Sequence, residues 1–311
     1  MPRAREDDVL GHLTVRHRTL EVEGTSIFYR EAGAEGAPAV LLLHGFPSSS
    51  FQYRRLLPAL SDTYHVLAPD FPAFGFSSCP ERSRYAYTFE HYAETIENFV
   101  RALGLTLYAL CLHDYGAQVG FRLALRAPEL VTALIIQNSE AYLDGRTWIW
   151  SATEAYWRDP SKRKREALRN TLFTEKGIRG EFLEQLPPES AELIDPSAIL
   201  LAWTHLNRPG VVEALLDLHL DYRNNVQDYS LFQDYFRKHQ PPTLVIWGRN
   251  DQYCTPASAM AYKRDLPNAE IHVIEGGHWA LESHGPQVIR LTREFLDRVL
   301  AHGIAEKADA A

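Results

Sequence analysis

Short apolar runs alternate with segments of helical periodicity over the first half of the chain. Two β-rich runs, at residues 13–22 and 25–31, predict an antiparallel pair of strands at the edge of a sheet. The run at residues 39–43 is apolar throughout, which is typical of a strand buried on both faces. This alternation predicts a mostly parallel sheet covered by helices, the α/β class. The same pattern predicts further strands at residues 65–68, 107–112 and 131–136, with helices at residues 89–103 and 117–125.

The alternation of strand-like and helical segments stops near residue 140 and resumes near residue 240. Between these points no run is typical of a strand, and residues 162–169 form a charged helical stretch. We therefore predict one α/β core, residues 1–139 and 240–311, that is interrupted by a helical cap domain at residues 140–239. In the second part of the core the predicted elements are strands at residues 243–247 and 270–274 and helices at residues 258–264 and 287–300.

Composition narrows the class of protein. Of the 311 residues, 45% are hydrophobic and 23% are charged, which is typical of a folded globular protein. Lys and Arg number 32 against 40 Asp and Glu, and the net charge of −8 argues against a nucleic-acid partner. No apolar run approaches the roughly 18 residues of a membrane span. Residues 1–8 lack the apolar stretch of a secretory signal, so we expect a cytoplasmic protein.

The three cysteines and thirteen histidines show no spacing typical of a metal site. Cys79, Cys111 and Cys254 lie far apart, and their odd number does not suit a disulfide framework. We expect neither a metal nor another cofactor.

The predicted strand at residues 107–112 runs into His113-Asp114-Tyr115-Gly116-Ala117 and then directly into a helix. A strand, a tight turn with a polar residue at its tip and a helix that begins with small residues form a nucleophile elbow. Asp114 occupies the tip, and the chain contains no Gly-x-Ser-x-Gly motif. Taken alone, Asp114 suits a helix cap equally well.

Two further polar residues follow predicted strands of the core. Asp251 lies in the turn after residues 243–247, and His278 follows residues 270–274. Open α/β sheets place their sites at the carboxyl ends of the strands. The order nucleophile, acid, histidine is the one found with such an elbow. We therefore predict Asp114, Asp251 and His278 as a catalytic triad.

The loop after residues 39–43 reads His44-Gly45-Phe46-Pro47. The main-chain N–H groups of Phe46 and Tyr115 are predicted to form an oxyanion hole, which needs no particular side chain. For His44 we expect a structural hydrogen bond within the loop.

These segments together resemble the α/β-hydrolase superfamily in its aspartate-nucleophile branch, which contains epoxide hydrolases and haloalkane dehalogenases. The resemblance covers residues 13–300 and includes residues 70–77 (Asp-Phe-Pro-Ala-Phe-Gly-Phe-Ser) and Gly277-His278-Trp279. It implies that Asp114 attacks a carbon to form an ester and that His278, oriented by Asp251, activates water to hydrolyse it.

The two branches treat the leaving group differently. Haloalkane dehalogenases often carry an indole just after the nucleophile and an Asn or Trp elsewhere, whereas this chain has Tyr115 and Phe46 at the places compared. Tyr115 also stands where fluoroacetate-cleaving relatives place an arginine, which argues against small anionic acids as substrates. We predict an epoxide hydrolase, with haloalkane dehalogenase as the alternative.

Epoxide hydrolases typically open the ring with tyrosines of the cap. Residues 221–225 resemble the segment that carries one of them, so Tyr222 is the predicted donor. Tyr156 or Trp157 is the candidate second donor, although packing within the cap explains them equally well. A largely apolar or aromatic epoxide is the expected substrate, and the oligomeric state stays open. Tryptophans concentrate in the cap, which holds four of the six: Trp148, Trp150, Trp157 and Trp203.

Overall fold

A single eight-stranded sheet forms the centre of the protein, with strand order β1-β2-β4-β3-β5-β6-β7-β8. The structure is a computed structural model that describes residues 14–184 and 186–308, with side chains as far as residue 300. β2 pairs antiparallel with both β1 and β4, and every other pair is parallel. The strands are β1 (Arg16–Val22), β2 (Thr25–Ala32), β3 (Ala39–Leu43), β4 (His65–Pro69), β5 (Tyr108–His113), β6 (Val131–Gln137), β7 (Thr243–Gly248) and β8 (Glu270–Ile274).

The predicted fold class is confirmed, and the predicted strands of the parallel sheet lie within about one residue of the observed ones. The antiparallel edge pair is confirmed too, although Leu13, where its first strand was predicted to start, lies outside the described residues. β3, β4, β5 and β7 are buried throughout because helices cover both faces of the sheet. Alternate side chains of β3 enter two separate cores, with Leu41 and Leu43 on one face and Val40 and Leu42 on the other.

Twelve α-helices surround the sheet in the part of the chain that is described. Six of them lie between β6 and β7, and the longest, α9, packs against α3 and so joins this helical segment to the sheet. The helices are α1 (Leu56–Leu60), α2 (Phe89–Ala102), α3 (Tyr115–Arg126), α4 (Trp150–Arg158), α5 (Lys162–Arg169), α6 (Glu175–Leu183), α7 (Pro188–Ala191), α8 (Pro196–Leu206), α9 (Val211–His239), α10 (Pro256–Ala261), α11 (Ala280–Ser283) and α12 (Gly285–Ala308).

Within the described ranges, none of these helices is long and apolar enough to cross a bilayer. The parallel strands direct their carboxyl ends to one edge of the sheet, where the turns after β3, β5, β6, β7 and β8 meet the helical segment.

Candidate active site

Asp114 stands alone between β5 and α3, in a backbone conformation that side chains rarely adopt. Its φ of 49° and ψ of −119° lie outside the common regions, which costs about 1 to 3 kcal/mol. Asp114 stands at the N-cap position of α3, but its side chain makes no capping hydrogen bond to that helix. A Cβ at Gly116 would lie 2.0 Å from the carbonyl oxygen of Leu43, so only glycine lets α3 begin this close to β3.

Main-chain N–H groups hold one side of the Asp114 carboxylate. The N–H of Phe46 donates to Oδ1 at 2.8 Å, and the N–H of Tyr115 hydrogen-bonds to the same carboxylate. A Cβ at Gly45 would meet the Cβ of Asp114 at 2.6 Å, so the loop after β3 approaches this closely only with glycine. The two amides predicted as an oxyanion hole therefore converge on one carboxylate.

His44 supports that loop through its ring. Its Nε2 accepts a hydrogen bond from the N–H of Phe71 at 3.0 Å, and its Nδ1 lies 3.1 Å from the carbonyl oxygen of Gly45. Burial lowers the pKa of His44 to about 3, so the ring is neutral. These contacts confirm the structural hydrogen bond expected for His44.

His278 faces the other oxygen of Asp114. Its Nε2 lies 3.7 Å from Asp114 Oδ2, and its Nδ1 lies 2.9 Å from Asp251 Oδ2. Asp251 is held in turn by the main-chain N–H of Tyr253 at 2.8 Å and by the Nδ2 of Asn138 at 2.8 Å. The structure thus brings the three predicted triad residues together in one chain of contacts.

The charges of these three residues shift the pKa values of His278 and Asp114. Burial by itself lowers the pKa of His278, but the Asp251 carboxylate, its hydrogen bond to the ring and the nearby Asp114 carboxylate outweigh it and raise the pKa to about 10. Burial also opposes the ionisation of Asp114, yet the neighbouring His278 holds its pKa below the ordinary range. At neutral pH the arrangement is a carboxylate beside an imidazolium.

A cavity of about 320 Å³ opens above Asp114 and His278. Its walls come from the sheet edge on one side and from α4, α5, α6 and α9 on the other. No Lys or Arg belongs to the described residues that line it, and the imidazolium of His278 is already paired with the carboxylates of Asp114 and Asp251. The aromatic side chains of the lining are Phe46, Tyr115, Trp148, Trp150 and Tyr253.

The three predicted cap residues lie beside the cavity rather than in its wall, with Tyr222 and Tyr156 buried and Trp157 half-buried. The ring of Tyr222 stacks on Trp157 at 5.7 Å, and its hydroxyl hydrogen-bonds to Tyr229. The indole N–H of Trp157 donates to the carbonyl oxygen of His219 at 3.0 Å. The hydroxyl of Tyr156 accepts from Arg165 at 3.3 Å. The ring of Tyr222 lies 5.6 Å from that of Tyr115, but Tyr222 is not among the described residues that line the cavity, so its role as a donor stays a prediction.

Polar groups that the sequence did not single out line the cavity instead. His219 of α9 lies between the hydroxyls of Tyr115 and Thr153, at 2.9 Å and 3.1 Å. Glu181 of α6 is buried and hydrogen-bonds to the hydroxyl of Tyr253. Each lies inside a helix without a recognisable motif. The available signal was only that both are polar residues in the segment predicted to cover the site.

No group of three or more His, Cys, Asp or Glu suited to a metal ion is found in the described part of the chain. The site contains acids, imidazoles and hydroxyls that act through protons, with main-chain amides to bind developing negative charge.

Comparison with known proteins agrees with the architecture. A family model described as the alpha/beta hydrolase fold matches residues 38–285. The chain is 36% identical to an uncharacterized hydrolase of Saccharomyces cerevisiae over 295 residues, which are 92% of this chain and 98% of the yeast protein. It is 24% identical to epoxide hydrolase 3 of Mus musculus over 323 residues, which are 96% of this chain and 83% of the mouse protein.

Among solved structures, haloalkane dehalogenase DbeA from Bradyrhizobium elkani superposes with a TM-score of 0.75 at 23% identity. The match covers 93% of this chain and 100% of the dehalogenase, and at this identity it shows the fold alone. The family model and the yeast relative each extend over most of the sequence, and the protein is therefore a member of the α/β-hydrolase family.

Proposed function

We propose that this hydrolase is a cofactor-independent epoxide hydrolase. Asp114 is its nucleophile, His278 and Asp251 activate water, and the helical segment between β6 and β7 is a cap over the substrate. The observation that carries the proposal is the carboxylate at the tip of the elbow, with Oδ1 on a main-chain amide and Oδ2 facing His278.

Ring opening starts from the ionised carboxylate. Asp114 Oδ2 attacks a ring carbon, a C–O bond forms, the ring C–O bond breaks, and the epoxide oxygen takes up a proton. No base is needed in this step, because the pKa of Asp114 is already held low by His278. Oδ1 becomes the carbonyl oxygen of the ester and stays on the N–H of Phe46.

Ester formation prepares His278 for the second step. The negative charge of Asp114 disappears, and with it part of what raises the pKa of His278. The imidazole of His278 can then lose its proton. As a neutral base it accepts a proton from water, and the hydroxide attacks the ester carbonyl. Asp251 keeps the imidazole oriented during this step. The N–H groups of Phe46 and Tyr115 stabilise the oxyanion, and the diol leaves.

An epoxide is favoured over an alkyl halide by the polar groups of the cavity. Glu181, Tyr253 and Thr153 all lie in its wall and carry protons suited to an alkoxide oxygen. The nucleophile is followed by Tyr115, whose hydroxyl is occupied by His219. The apolar and aromatic remainder of the wall suits an uncharged organic substrate.

The test is the intact mass of the His278→Gln variant after exposure to styrene oxide or 1-bromohexane. Ester hydrolysis stalls without the imidazole, so we expect a mass gain equal to the whole epoxide, mapped by peptide analysis to Asp114. His272→Gln in β8 is the matched control and should turn over without accumulating an adduct. A gain of a hexyl group with bromide release would identify a haloalkane dehalogenase. No adduct on the folded variant would overturn the aspartyl-ester mechanism.

A further inference from the structure

One buried carboxyl group of the cavity has no part in the triad. Glu181 lies near the end of α6 and is 8% exposed. It lines the same cavity as Asp114 and His278, and a negative charge on Glu181 raises the pKa of Tyr115. An acid inside an apolar cavity costs free energy unless it is neutral or has a use for its charge.

A directed chain of hydrogen bonds ends at Glu181. The Nε2 of Gln252 donates to the hydroxyl of Tyr253 at 3.2 Å and to the carbonyl oxygen of Gly180 at 3.3 Å. Since the Tyr253 oxygen accepts from Gln252, the Tyr253 proton points to the Glu181 carboxyl. Glu181 therefore accepts from Tyr253 and keeps its own acid proton for the cavity.

The charges around Glu181 support the acid form. Burial raises its pKa to about 7, and the negative charges of Asp114 and Glu184 act in the same direction. The hydrogen bond from Tyr253 and the charge of His278 act against it. Burial and the neighbouring Glu181 raise the pKa of Tyr253 above its ordinary value, so the phenol stays protonated.

We propose that Glu181 is the acid that protonates the epoxide oxygen as the ring opens, and that Tyr253 positions it. This rests on the proposed epoxide hydrolysis. As the Asp114 Oδ2–carbon bond forms and the ring C–O bond breaks, the electron pair of that bond goes to the ring oxygen. The Glu181 carboxyl proton moves to this oxygen and gives a hydroxyl. Glu181 is left as a carboxylate and recovers its proton from solvent before the next turnover.

This assignment replaces Tyr222 as the donor. The Tyr222 hydroxyl is bonded to Tyr229 outside the cavity wall, whereas Glu181 is in the wall with the nucleophile. A carboxylic acid with a pKa near neutrality also transfers a proton to an alkoxide more readily than a phenol of raised pKa.

The experiment measures the rate of Asp114 ester formation in a His278→Gln background, by quenched-flow and intact mass at pH 6.5. Propylene oxide and 2-(trifluoromethyl)oxirane are the two substrates. Adding Glu181→Gln should slow ester formation from propylene oxide by about 100-fold. The loss should be much smaller with the trifluoromethyl epoxide, because its alkoxide is stabilised and needs less help from an acid. A merely structural defect would slow both substrates equally.

Glu175→Gln is the matched control. Glu175 lies in the first turn of the same helix, is exposed and is not among the described residues that line the cavity, so its replacement should leave both rates within about twofold. If His278→Gln gives no adduct with either epoxide, the proposed function fails. If adducts form and Glu181→Gln leaves the two rates unchanged, or lowers both equally, the function stands and the role of Glu181 is overturned.

The Tyr253→Phe variant provides a second, independent test of the role of Glu181. In the His278→Gln background, ester formation should fall as the pH rises through the pKa of Glu181, because the acid form is lost. Removing the Tyr253 hydroxyl takes away a contact that lowers this pKa, so the descending limb should move to higher pH. The assignment of Glu181 as the acid is contradicted if the descending limb of the pH profile does not move in Tyr253→Phe. It is also contradicted if the rate of ester formation does not fall up to pH 10.

Discussion

The carboxyl edge of the sheet and the helices between β6 and β7 form opposite walls of the cavity, and they hold their polar groups differently. At the sheet edge, Asp114 and Asp251 lie on turns directly after strands, and main-chain N–H groups fix both carboxylates. In the helical wall, Glu181 and His219 lie within helices, and side chains from distant segments hold them. The positions of the polar groups at the sheet edge therefore depend on backbone geometry. Those in the helical wall depend on how the helices pack.

This difference separates two kinds of chemistry. In the proposed mechanism, the sheet edge supplies the parts of ester formation and hydrolysis that are the same for any alkylating substrate. The helical wall supplies, in the same proposal, groups that suit one type of leaving group. Changes at the sheet edge should therefore abolish turnover of every substrate, whereas changes in the helical wall should discriminate between substrates.

The largest expected effect is at Asp114, the proposed nucleophile. Asp114→Ala should reduce steady-state epoxide turnover by more than about 10⁴-fold, because the described part of the chain places no other carboxylate on the N–H of Phe46. Circular dichroism should still show the folded protein, although the lost hydrogen bond to Phe46 and the lost pairing with His278 should lower the temperature of thermal unfolding. Wild-type activity in the variant would exclude Asp114 from the mechanism.

Asp251→Asn comes next and distinguishes the two steps. Replacing the carboxylate that orients the imidazole should slow ester hydrolysis by about 10³- to 10⁴-fold. Ester formation, which does not use His278 as a base, should persist, so the Asp114 adduct should accumulate during turnover. Mass spectrometry of the quenched protein measures it. Loss of turnover without an adduct would mean that Asp251 acts before the ester forms.

The sheet edge was also the part of the site that could be predicted from the sequence. Apolar runs bounded by turn residues locate buried strands well, and the predicted bounds of β3 and β8 match the observed ones. Once a strand end is located, the residue after it is placed at a known edge. Asp114, Asp251 and His278 could therefore be brought together without any knowledge of side-chain packing.

The helical wall could not be predicted in that way. Tyr222 lies on a 29-residue helix, and the rotation of that helix about its axis decides whether the side chain faces the cavity. Glu181 belongs to a short helix that the sequence pattern did not resolve. Its position in the cavity follows from the packing of several helices, which hydrophobic periodicity does not determine.

The pH dependence of stability tests the charge arrangement at the sheet edge. The pKa of His278 is raised to about 10 in the folded protein, so its pairing stabilises the fold fully below about pH 6.5. That contribution is lost as the pH rises towards 10. We expect the difference in the free energy of unfolding between wild type and His278→Gln to shrink from pH 7 to pH 10. Urea denaturation at several pH values measures it, and a constant difference would contradict the imidazolium assignment.

Tyr222→Phe should affect the fold more than the chemistry. The variant loses a buried hydrogen bond to Tyr229, which should cost about 1 kcal/mol of unfolding free energy. Ester formation in the His278→Gln background should stay within about threefold of its parent, unlike the loss caused by Glu181→Gln. A 100-fold slower ring opening in a stable Tyr222→Phe protein would instead restore Tyr222 as the donor.

The smallest expected effect is at the mouth of the cavity. Trp148 is 78% exposed yet lines the cavity, so its indole contributes little to the core and offers an apolar face to an entering substrate. Trp148→Ala should change the unfolding free energy by less than about 0.5 kcal/mol, as is usual for surface positions. The KM for styrene oxide should rise severalfold, because an aromatic contact is lost, while the KM for propylene oxide and both kcat values stay unchanged. An equal change for the two substrates would show that Trp148 acts on the shape of the whole helical wall rather than on the substrate ring.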